Sequence, residues 1–532
     1  MNYRWAAGIR RPVELTRLRT SHCFLRTLRV LPETRPLPET PIIMPALVLP
    51  FILAAVSLVY FYIARPRRPP GPRPLPFIGN LLQMPKDHEW RTFSEWAKKY
   101  GDCVYLRVLG QPIIILGSLK AAHDLLNQRS AIYSSRPRLV MAGDLIGFDQ
   151  GLALMPYSSR FLSLRRLIDK ELTGNMLRKY WVLHEDESRI LIEKILEEPG
   201  LFLESLRHYA GSIILRVVYG YQTVPRNDRF LLLAEKVMGA FSLASQPGAW
   251  AVDIIPWLRH LPSWFPGTRF KQTAASWSQL HMDVMKGPFD WALSHQDSPL
   301  LIRPNFVSTV VNRSPDVLSA EDQDLLFWAS GSLFGGGADT TVATLSSFFL
   351  AMALYPEVQA TAQAELDKVL SGELPRLSDR PSLPYVECVM REVLRWNPIA
   401  PLGLAHLLTQ DDVYNGYHIP DGSIMMVNVW SILRDPLVFP DPLEFRPDRF
   451  MNDNRAMETV SSVFGFGRRA CSGVHFAEAS MFIAIATALA QCNVSDAVNS
   501  RGEKVHRDVE YQTGTISHPE KFSCTIVPRV QL

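Results

Sequence analysis

The sequence predicts a mixed, predominantly helical fold, with a large helical body, a minor β-sheet region and one transmembrane helix near the N-terminus. An apolar pattern runs without a break from Ser319, a capping residue, to Pro356, which ends it. The pattern between residues 160 and 300 is also mostly helical. At 103–117 the runs "CVYLRVLG" and "QPIIILG" are short, apolar and separated by a turn, which is typical of two paired strands.

Composition excludes several classes of protein. The chain has 532 residues, of which 47% are hydrophobic and 20% charged, so it can bury a sizeable core and is not disordered. A net charge of +4 is too small for this length to indicate a nucleic-acid partner. The six cysteines are scattered without a CxxC pair, which argues against a disulfide scaffold or a zinc site and favours a reducing compartment.

The N-terminal part predicts attachment to a membrane. A charge-free apolar run at 42–64 is long enough to span a bilayer, and a proline- and arginine-rich stalk follows it. We therefore predict a single-pass membrane anchor, with the body of the chain in the cytosol. The predicted organisation is an arginine-rich extension (1–41), a transmembrane anchor (42–64), the stalk (65–76) and one large domain (77–532).

Two interpretations of the first 40 residues remain open. Their arginines resemble those of a mitochondrial transit peptide. Alternatively, translation starts at Met44, which leaves an ordinary signal anchor and removes the arginines that compete with the stalk for the cytoplasmic side.

Two later stretches carry local predictions. "AVDIIPWLRHLPSWFPG" (251–267) is apolar and aromatic without strand alternation, which favours a lid or a segment at a membrane surface. "DDVYNGYHIPDGSIMMVNVW" (411–430) predicts a hairpin that turns at Pro420-Asp421-Gly422.

The stretch "FGFGRRACSG" (464–473), which we call the cysteine loop, is the most informative in the chain. It places Cys471 in a glycine-rich, cationic loop immediately before an apolar helix pattern. A thiolate is the form of cysteine that binds metal, and nearby arginines and a helix N-terminus are expected to lower its pKa. The glycines allow the backbone to approach a flat ligand. This pattern predicts a metal-binding thiolate.

The cysteine loop resembles the FxxGxRxCxG signature of the cytochrome P450 family, the haem-thiolate monooxygenases. The matching residues are Phe464, Gly467, Arg469, Cys471 and Gly473. The resemblance implies that Cys471 is the proximal iron ligand of haem b and that Arg469 pairs with a haem propionate. Phe464, Gly465 and Gly473 would then line the haem. The resemblance extends over residues 70–530 and is closest to fungal microsomal members.

The long apolar helix contains a second motif. "SLFGGGADTT" (332–341) has three consecutive glycines, each of which costs a helix interior about 1 kcal/mol relative to alanine. The stretch from Gly336 matches the family's [AG]GxxT pattern, which implies that Gly336 lies against the haem. The resemblance further implies that Thr340 hydrogen-bonds dioxygen and that Asp339 relays protons from solvent. We also expect the helix to widen locally at this site.

Further residues fit or depart from the family pattern. "EVLR" supplies Glu392 and Arg395, and the family uses a residue at the position of Arg449 to close a Glu–Arg–Arg network of structural importance. Arg165 is retained as a haem contact. Phe161 stands where tryptophan is usual, so one donor to a propionate is lost. Ser472 also departs from the family pattern, in which proline is commoner at this position. His406 is a further candidate propionate contact.

The resemblance implies a monooxygenase that inserts one oxygen atom of O2 into a hydrophobic small molecule, such as a terpenoid, an aromatic or indolic secondary metabolite, or a xenobiotic. Electrons would come from NADPH through a separate NADPH-cytochrome P450 reductase, with cytochrome b5 as an additional candidate donor. Substrate contacts are expected from residues 140–154, 240–265, 333–336, 400–403 and 513–517. Two alternatives stay open: a haem-thiolate isomerase or dehydratase, and a haem-binding protein without turnover.

Overall fold

The computed structural model describes residues 66–172, 177–313, 318–497 and 509–529. Helices dominate these residues, and the sheets are small, as the sequence predicts. The α-helices are α1 (Glu89–Tyr100), α2 (Leu119–Ala122), α3 (Ser130–Tyr133), α4 (Ser159–Glu171), α5 (Trp181–Glu197), α6 (Phe202–Tyr219), α7 (Arg229–Ala244), α8 (Ala251–Ile254), α9 (Arg269–Ser294), α10 (Phe306–Arg313), α11 (Ala320–Leu354), α12 (Pro356–Leu370), α13 (Pro384–Trp396), α14 (Val429–Ile432), α15 (Asn454–Val460) and α16 (Val474–Gln491).

Shorter helical turns and the strands complete the fold. Two π-helical segments are His123–Gln128 and Val140–Leu145. The 3₁₀ turns are Leu81–Gln83, Phe148–Gln150, Arg178–Tyr180, Pro199–Leu201, Pro256–His260, Leu377–Ser382, Pro447–Phe450, Ser461–Phe464 and Gly467–Arg469. The strands are β1 (Cys103–Val108), β2 (Gln111–Leu116), β3 (His406–Leu407), β4 (Asp412–Tyr414), β5 (Tyr417–Ile419), β6 (Ile424–Val427), β7 (Cys492–Asp496) and β8 (Cys524–Pro528).

The long helix α11 is the centre of the body. Its N-cap is Ser319, whose hydroxyl oxygen accepts a hydrogen bond from the amide of Asp322, as predicted. Every residue from Thr341 to Ala353 is buried, because α4, α6, α7, α9 and α16 pack around the helix. A helix that is apolar on all sides needs such surroundings to be stable in water.

The sheets confirm one sequence prediction and correct another. The predicted pair β1 and β2 is antiparallel, and the four-stranded sheet has the order β1-β2-β6-β3. The hairpin turn predicted at Pro420–Gly422 was wrong: β4 and β5 turn at Asn415 and Gly416, both with positive φ. An Asn-Gly pair suits the type I′ geometry that tight hairpins require. The turn at Pro420–Gly422 leads instead into β6, which belongs to the larger sheet.

Two described helices, α11 and α16, are long and apolar enough to cross a membrane, but 72% of each apolar window is buried inside the body. Packing accounts for their composition, since they form the core. The predicted extension and anchor at 1–64 lie outside the described residues. In the predicted lid, the structure has α8 and a 3₁₀ turn, and the side chains of Trp257 and Trp264 are exposed.

Candidate haem-binding and catalytic site

The backbone of the cysteine loop is fixed by its glycines. Gly465 and Gly467 have φ of 82° and 54°, in the left-handed region that favours glycine. A Cβ atom at Gly467 would lie 2.1 Å from the carbonyl oxygen of Leu126, so no larger residue fits there. The amide of Cys471 donates to the carbonyl of Phe464 over 2.8 Å. The loop thus folds back on itself and holds Cys471 at its tip.

Cys471 differs in burial from Cys388 and Cys492. Its side chain is exposed, whereas Cys388 and Cys492 are buried. The surrounding protein nevertheless desolvates the thiol and raises its pKa, while the amide of Gly473 and the charge of Arg165 act in the opposite direction. Our expectation that arginines and a helix terminus lower this pKa overall was therefore wrong, because burial has the larger effect. A Cβ at Gly473 would lie 3.8 Å from the sulfur, which is ordinary van der Waals contact, so Gly473 lies directly beside the thiol.

Two arginines hold the cysteine loop against its neighbours. Arg165 donates to the carbonyl of Ala470 over 2.7 Å and pairs with Asp169 over 2.9 Å. Arg469 donates to backbone carbonyls on the segment before α4, and its guanidinium lies 3.8 Å from the centre of the Phe161 ring. Phenylalanine at position 161 lacks an indole N–H, but the face of its aromatic ring stabilises the guanidinium cation of Arg469.

Arg136, which the sequence analysis missed, forms a buried cationic cluster with Arg469, and the imidazole of His406 lies beside them. Arg136 donates to the carbonyls of Leu404 and Ala405 over 2.6 and 2.8 Å. Burial lowers the pKa of Arg136, and the nearby charge of Arg469 lowers it further. Burial, together with Arg136 and Arg469, lowers the pKa of His406 to about 3, and its Nδ1 contacts the carbonyl of Tyr133.

The cationic cluster fits an anionic ligand. Among the described residues, no carboxylate forms an ion pair with Arg136 or Arg469. Buried charges are normally paired, since removing an unpaired charge from water is costly. The two carboxylates of a haem would supply the missing partners, and Cys471 offers the thiol that iron needs. The residues present are therefore compatible with the haem that the sequence implies.

Two of the three consecutive glycines of α11 have different surroundings. Gly336 is exposed, and a Cβ there would meet no atom within 4 Å. A Cβ at Gly337 would lie 2.9 Å from the side chain of Ile214 on α6, so this glycine allows two helices to approach closely. The helix is α-helical throughout from Ala320 to Leu354, and the predicted local widening was wrong. Packing of the buried flanks outweighs the cost of the glycines.

The side chains of Asp339 and Thr340 form hydrogen bonds with different partners. The Thr340 hydroxyl donates to the carbonyl of Gly336, four residues earlier, over 2.8 Å. Asp339 Oδ2 lies 3.1 Å from Nε2 of His518, in the C-terminal turn at 511–519. His518 was missed by the sequence analysis, because no local pattern links residues separated by 179 positions.

The predicted Glu–Arg–Arg network is confirmed by the geometry. Arg395 donates to both carboxylate oxygens of Glu392 over 2.6 and 2.9 Å, and Arg449 approaches the same carboxylate at 3.2 Å. Glu392 and Arg395 are fully buried. The remaining donors of Arg395 bind carbonyls of Leu433, Pro442 and Glu444, so the network ties α13 to the segment that precedes the cysteine loop.

Several of the segments that were predicted to bind substrate lie against one another in the fold. Phe148 and Phe241 join residues 140–154 to α7, with ring centres 5.1 Å apart. Leu152 donates to Ser332, which connects the first segment to α11. Hydrogen bonds from Ile516 to Ser242 and from Ser517 to Ile399 join the C-terminal turn to α7 and to the residues before 400–403.

No group of three or more His, Cys, Asp or Glu side chains suited to a metal ion occurs within the described ranges. A haem would need only one such ligand from the protein, which Cys471 offers. No local pattern indicates Arg136, as none indicates His518, since the acceptors Leu404 and Ala405 lie 268 and 269 residues away.

Comparison with known proteins identifies the same family as the cysteine loop. The family model described as Cytochrome P450 matches residues 69–523. Cytochrome P450 monooxygenase 105 of Postia placenta is 42% identical over 483 residues, covering 90% of this chain and 93% of the relative. Cytochrome P450 monooxygenase claR of Ampulloclitocybe clavipes is 40% identical over 485 residues, covering 90% and 89%. The chain therefore belongs to the cytochrome P450 family of monooxygenases.

Proposed function

We propose that this monooxygenase inserts one oxygen atom of O2 into a hydrophobic small molecule, with electrons from NADPH delivered by a separate flavoprotein reductase. The observation that carries the proposal is the position of Cys471 beside buried guanidinium groups that lack carboxylate partners. That arrangement favours a haem-thiolate centre, which is the basis of oxygen insertion in this family.

The residues that would hold the haem come from distant parts of the chain. Cys471 would bind the iron, while Arg136, Arg469 and His406 would face the propionates. Gly336 would leave room for the flat face of the ring, and Phe464, Gly465 and Gly473 would shape the loop on the other side. Arg165 would act mainly by fixing the loop carbonyls that it now binds. When bound, the haem would supply the iron at which dioxygen is reduced and one oxygen atom is passed to the substrate.

Asp339 and Thr340 would move protons to the site where dioxygen is reduced. Asp339 is one-fifth exposed, so its carboxylate can exchange protons with solvent. Thr340 is the next residue, and its hydroxyl can release the Gly336 carbonyl and turn toward the reacting oxygen. A proton accepted by Asp339 would pass to Thr340 Oγ1, which would donate its own.

The substrate is proposed to be apolar, such as a terpenoid, an aromatic or indolic metabolite, or a xenobiotic. The residues expected to contact substrate are mostly apolar or small, and Phe148 and Phe241 on two of these segments lie against each other. Such residues would favour an apolar ligand, because binding buries its surface.

An NADPH-cytochrome P450 reductase is the proposed electron donor, with cytochrome b5 as an additional candidate. Arg468 of the cysteine loop and Arg166 on α4 are exposed, which would favour an acidic partner on this side. We further propose that residues 42–64 anchor the protein in the endoplasmic reticulum membrane, with the catalytic domain in the cytosol.

An optical titration of the purified ferric protein tests the substrate class. Terpenoids, indoles and small aromatics should be added in turn, and one class is expected to shift the spectrum from low to high spin. The carbon monoxide spectrum of the reduced, haem-loaded protein provides the reference. A spectrum without thiolate ligation would overturn the role of Cys471 and the proposed function with it.

The variant Thr340→Ala tests proton delivery. We expect it to keep consuming NADPH but to release more hydrogen peroxide for each NADPH, because the hydroxyl that donates the proton is absent. Thr344→Ala is the matched control, since Thr344 forms the same type of bond to the carbonyl four residues earlier but is buried in the core. Equal peroxide yields in both variants would contradict the proton-relay role.

A further inference from the structure

His518 is the partner of the acidic residue on α11. Its Nε2 lies 3.1 Å from Oδ2 of Asp339, and the two side chains are 23% and 20% exposed. The imidazole N–H can donate to the carboxylate whether the ring is neutral, as the Nε2–H tautomer, or protonated. The contact joins the C-terminal turn to the part of α11 that carries Thr340.

A buried backbone frame holds His518 in place. The amide of Ser517 donates to the carbonyl of Ile399 over 2.8 Å, and the Ser517 side chain is fully buried. The carbonyl of His518 accepts a bond from the amide of Gln512 over 2.8 Å. The imidazole is therefore presented from a fixed turn, and its position does not depend on a loose chain end.

The contact restricts a carboxylate that its own helix leaves free to move. Asp339 follows three glycines and an alanine, so few neighbouring side chains of α11 limit its rotamers. A charged hydrogen bond to a fixed partner selects one orientation of the carboxylate. Proton transfer depends on such positioning, and a displacement of about 1 Å can cost on the order of 10²-fold in rate.

We infer that His518 is a positioning residue that acts through Asp339 in proton delivery. It donates from Nε2 to Oδ2 and holds the carboxylate where it takes up protons from solvent and passes them to the Thr340 hydroxyl. The inference rests on the proposed function of Asp339 and Thr340. The electrons come from NADPH through the reductase: two electrons and two protons reduce dioxygen to hydrogen peroxide, and four of each reduce it to two waters.

The test measures how the holoenzyme divides dioxygen between water and peroxide. Haem-loaded protein, NADPH and NADPH-cytochrome P450 reductase are combined without an organic substrate, and the consumption of NADPH and dioxygen and the release of peroxide are followed. His518→Leu removes the donor, and we expect the share of dioxygen converted to water to fall severalfold. His518→Gln keeps an N–H at similar reach and is expected to restore most of that share.

His88→Leu is the matched control for loosening of the C-terminal turn. Nε2 of His88 contacts the carbonyl of Tyr511 over 2.7 Å, so His88 also anchors this turn but does not touch Asp339. We expect His88→Leu to leave the water share unchanged. An equal loss in His88→Leu and His518→Leu would show a structural role only and would overturn the inference.

The double variant Asp339→Asn/His518→Leu tests whether His518 acts through Asp339. If it does, the double variant matches Asp339→Asn alone, whereas losses that add would contradict the inference. A loss in Asp339→Asn but none in His518→Leu would refute this inference and leave the proposed function intact. No change in Asp339→Asn would refute the proton role of Asp339, and the inference with it.

Discussion

The two sides of the site are built on opposite principles. On the cysteine side, Glu392 and Arg395 are fully buried, and Arg469 donates to three backbone carbonyls. On the α11 side, the Asp339–His518 pair is about one-fifth exposed. We infer from this difference that the side that would bind the iron is held rigidly, whereas the side where protons and substrate arrive is accessible to solvent.

The contrast follows from what each side must do. A metal ligand has to keep one position, so a network of buried and fully satisfied polar groups is useful there despite its desolvation cost. A proton relay has to exchange with solvent, which a fully buried carboxylate does slowly. Each of the following predictions changes one side and leaves the other intact.

The largest loss of stability is expected from Glu392→Gln. The change leaves the guanidinium groups of Arg395 and Arg449 buried without a full negative partner, which costs about 3–5 kcal/mol. Urea unfolding of the haem-loaded protein measures this loss. Glu387→Gln on the same helix is the control, because its partners Arg380 and Arg391 are less buried and its loss should be about 1 kcal/mol. Equal losses would contradict the proposed rigidity of the cysteine side.

A smaller loss of stability is expected at acidic pH, because His184 is buried in its neutral form. This side chain is buried on α5 against Phe476 of α16, and burial lowers its pKa to about 3. Between pH 6.5 and 3 the unfolded chain binds a proton that the folded protein does not. His184 should therefore contribute a fall in the free energy of unfolding of about 1.4 kcal/mol per pH unit between pH 6.5 and 3.

Urea unfolding at pH 7.5 and 5.0 measures the acid effect, with His184→Phe as the comparison. The phenylalanine keeps an aromatic ring against Phe476 but cannot be protonated, so the variant should lose about 2 kcal/mol less than the wild type on acidification. The same pH dependence in both proteins would show that His184 does not make the cysteine side sensitive to acid.

The smallest effect is expected from the glycines of α11. Gly337→Ala places a methyl group against Ile214, and we expect a net loss of about 1 kcal/mol, because overpacking outweighs the gain in helix propensity. Gly336→Ala meets no protein atom within 4 Å, so the haem-free protein should gain up to about 1 kcal/mol. Only Gly336→Ala should alter the optical spectrum of the haem-loaded protein. Identical stabilities would show that the two glycines do not have separate roles.

Local patterns were sufficient to predict much of the fold and several site residues. The N-cap at Ser319, the pair β1–β2 and the Glu392–Arg395 contact depend on residues close in sequence, so spacing and residue type predict them. The hairpin turn could also have been predicted, because Asn415-Gly416 is a stronger signal for a tight hairpin than the proline turn that we preferred.

The sequence by itself determined a predominantly helical body, a cysteine loop with a metal-binding pattern and a glycine-softened helix that carries Asp339 and Thr340. Only the tertiary structure decided which side chains meet at that site. Arg136 finds its carbonyl acceptors 268 and 269 residues away, and Asp339 finds His518 179 residues away. The net pKa shift of Cys471 also depends on the surrounding protein. Burial and long-range contacts arise from packing of the whole chain, and local spacing contains no information about either.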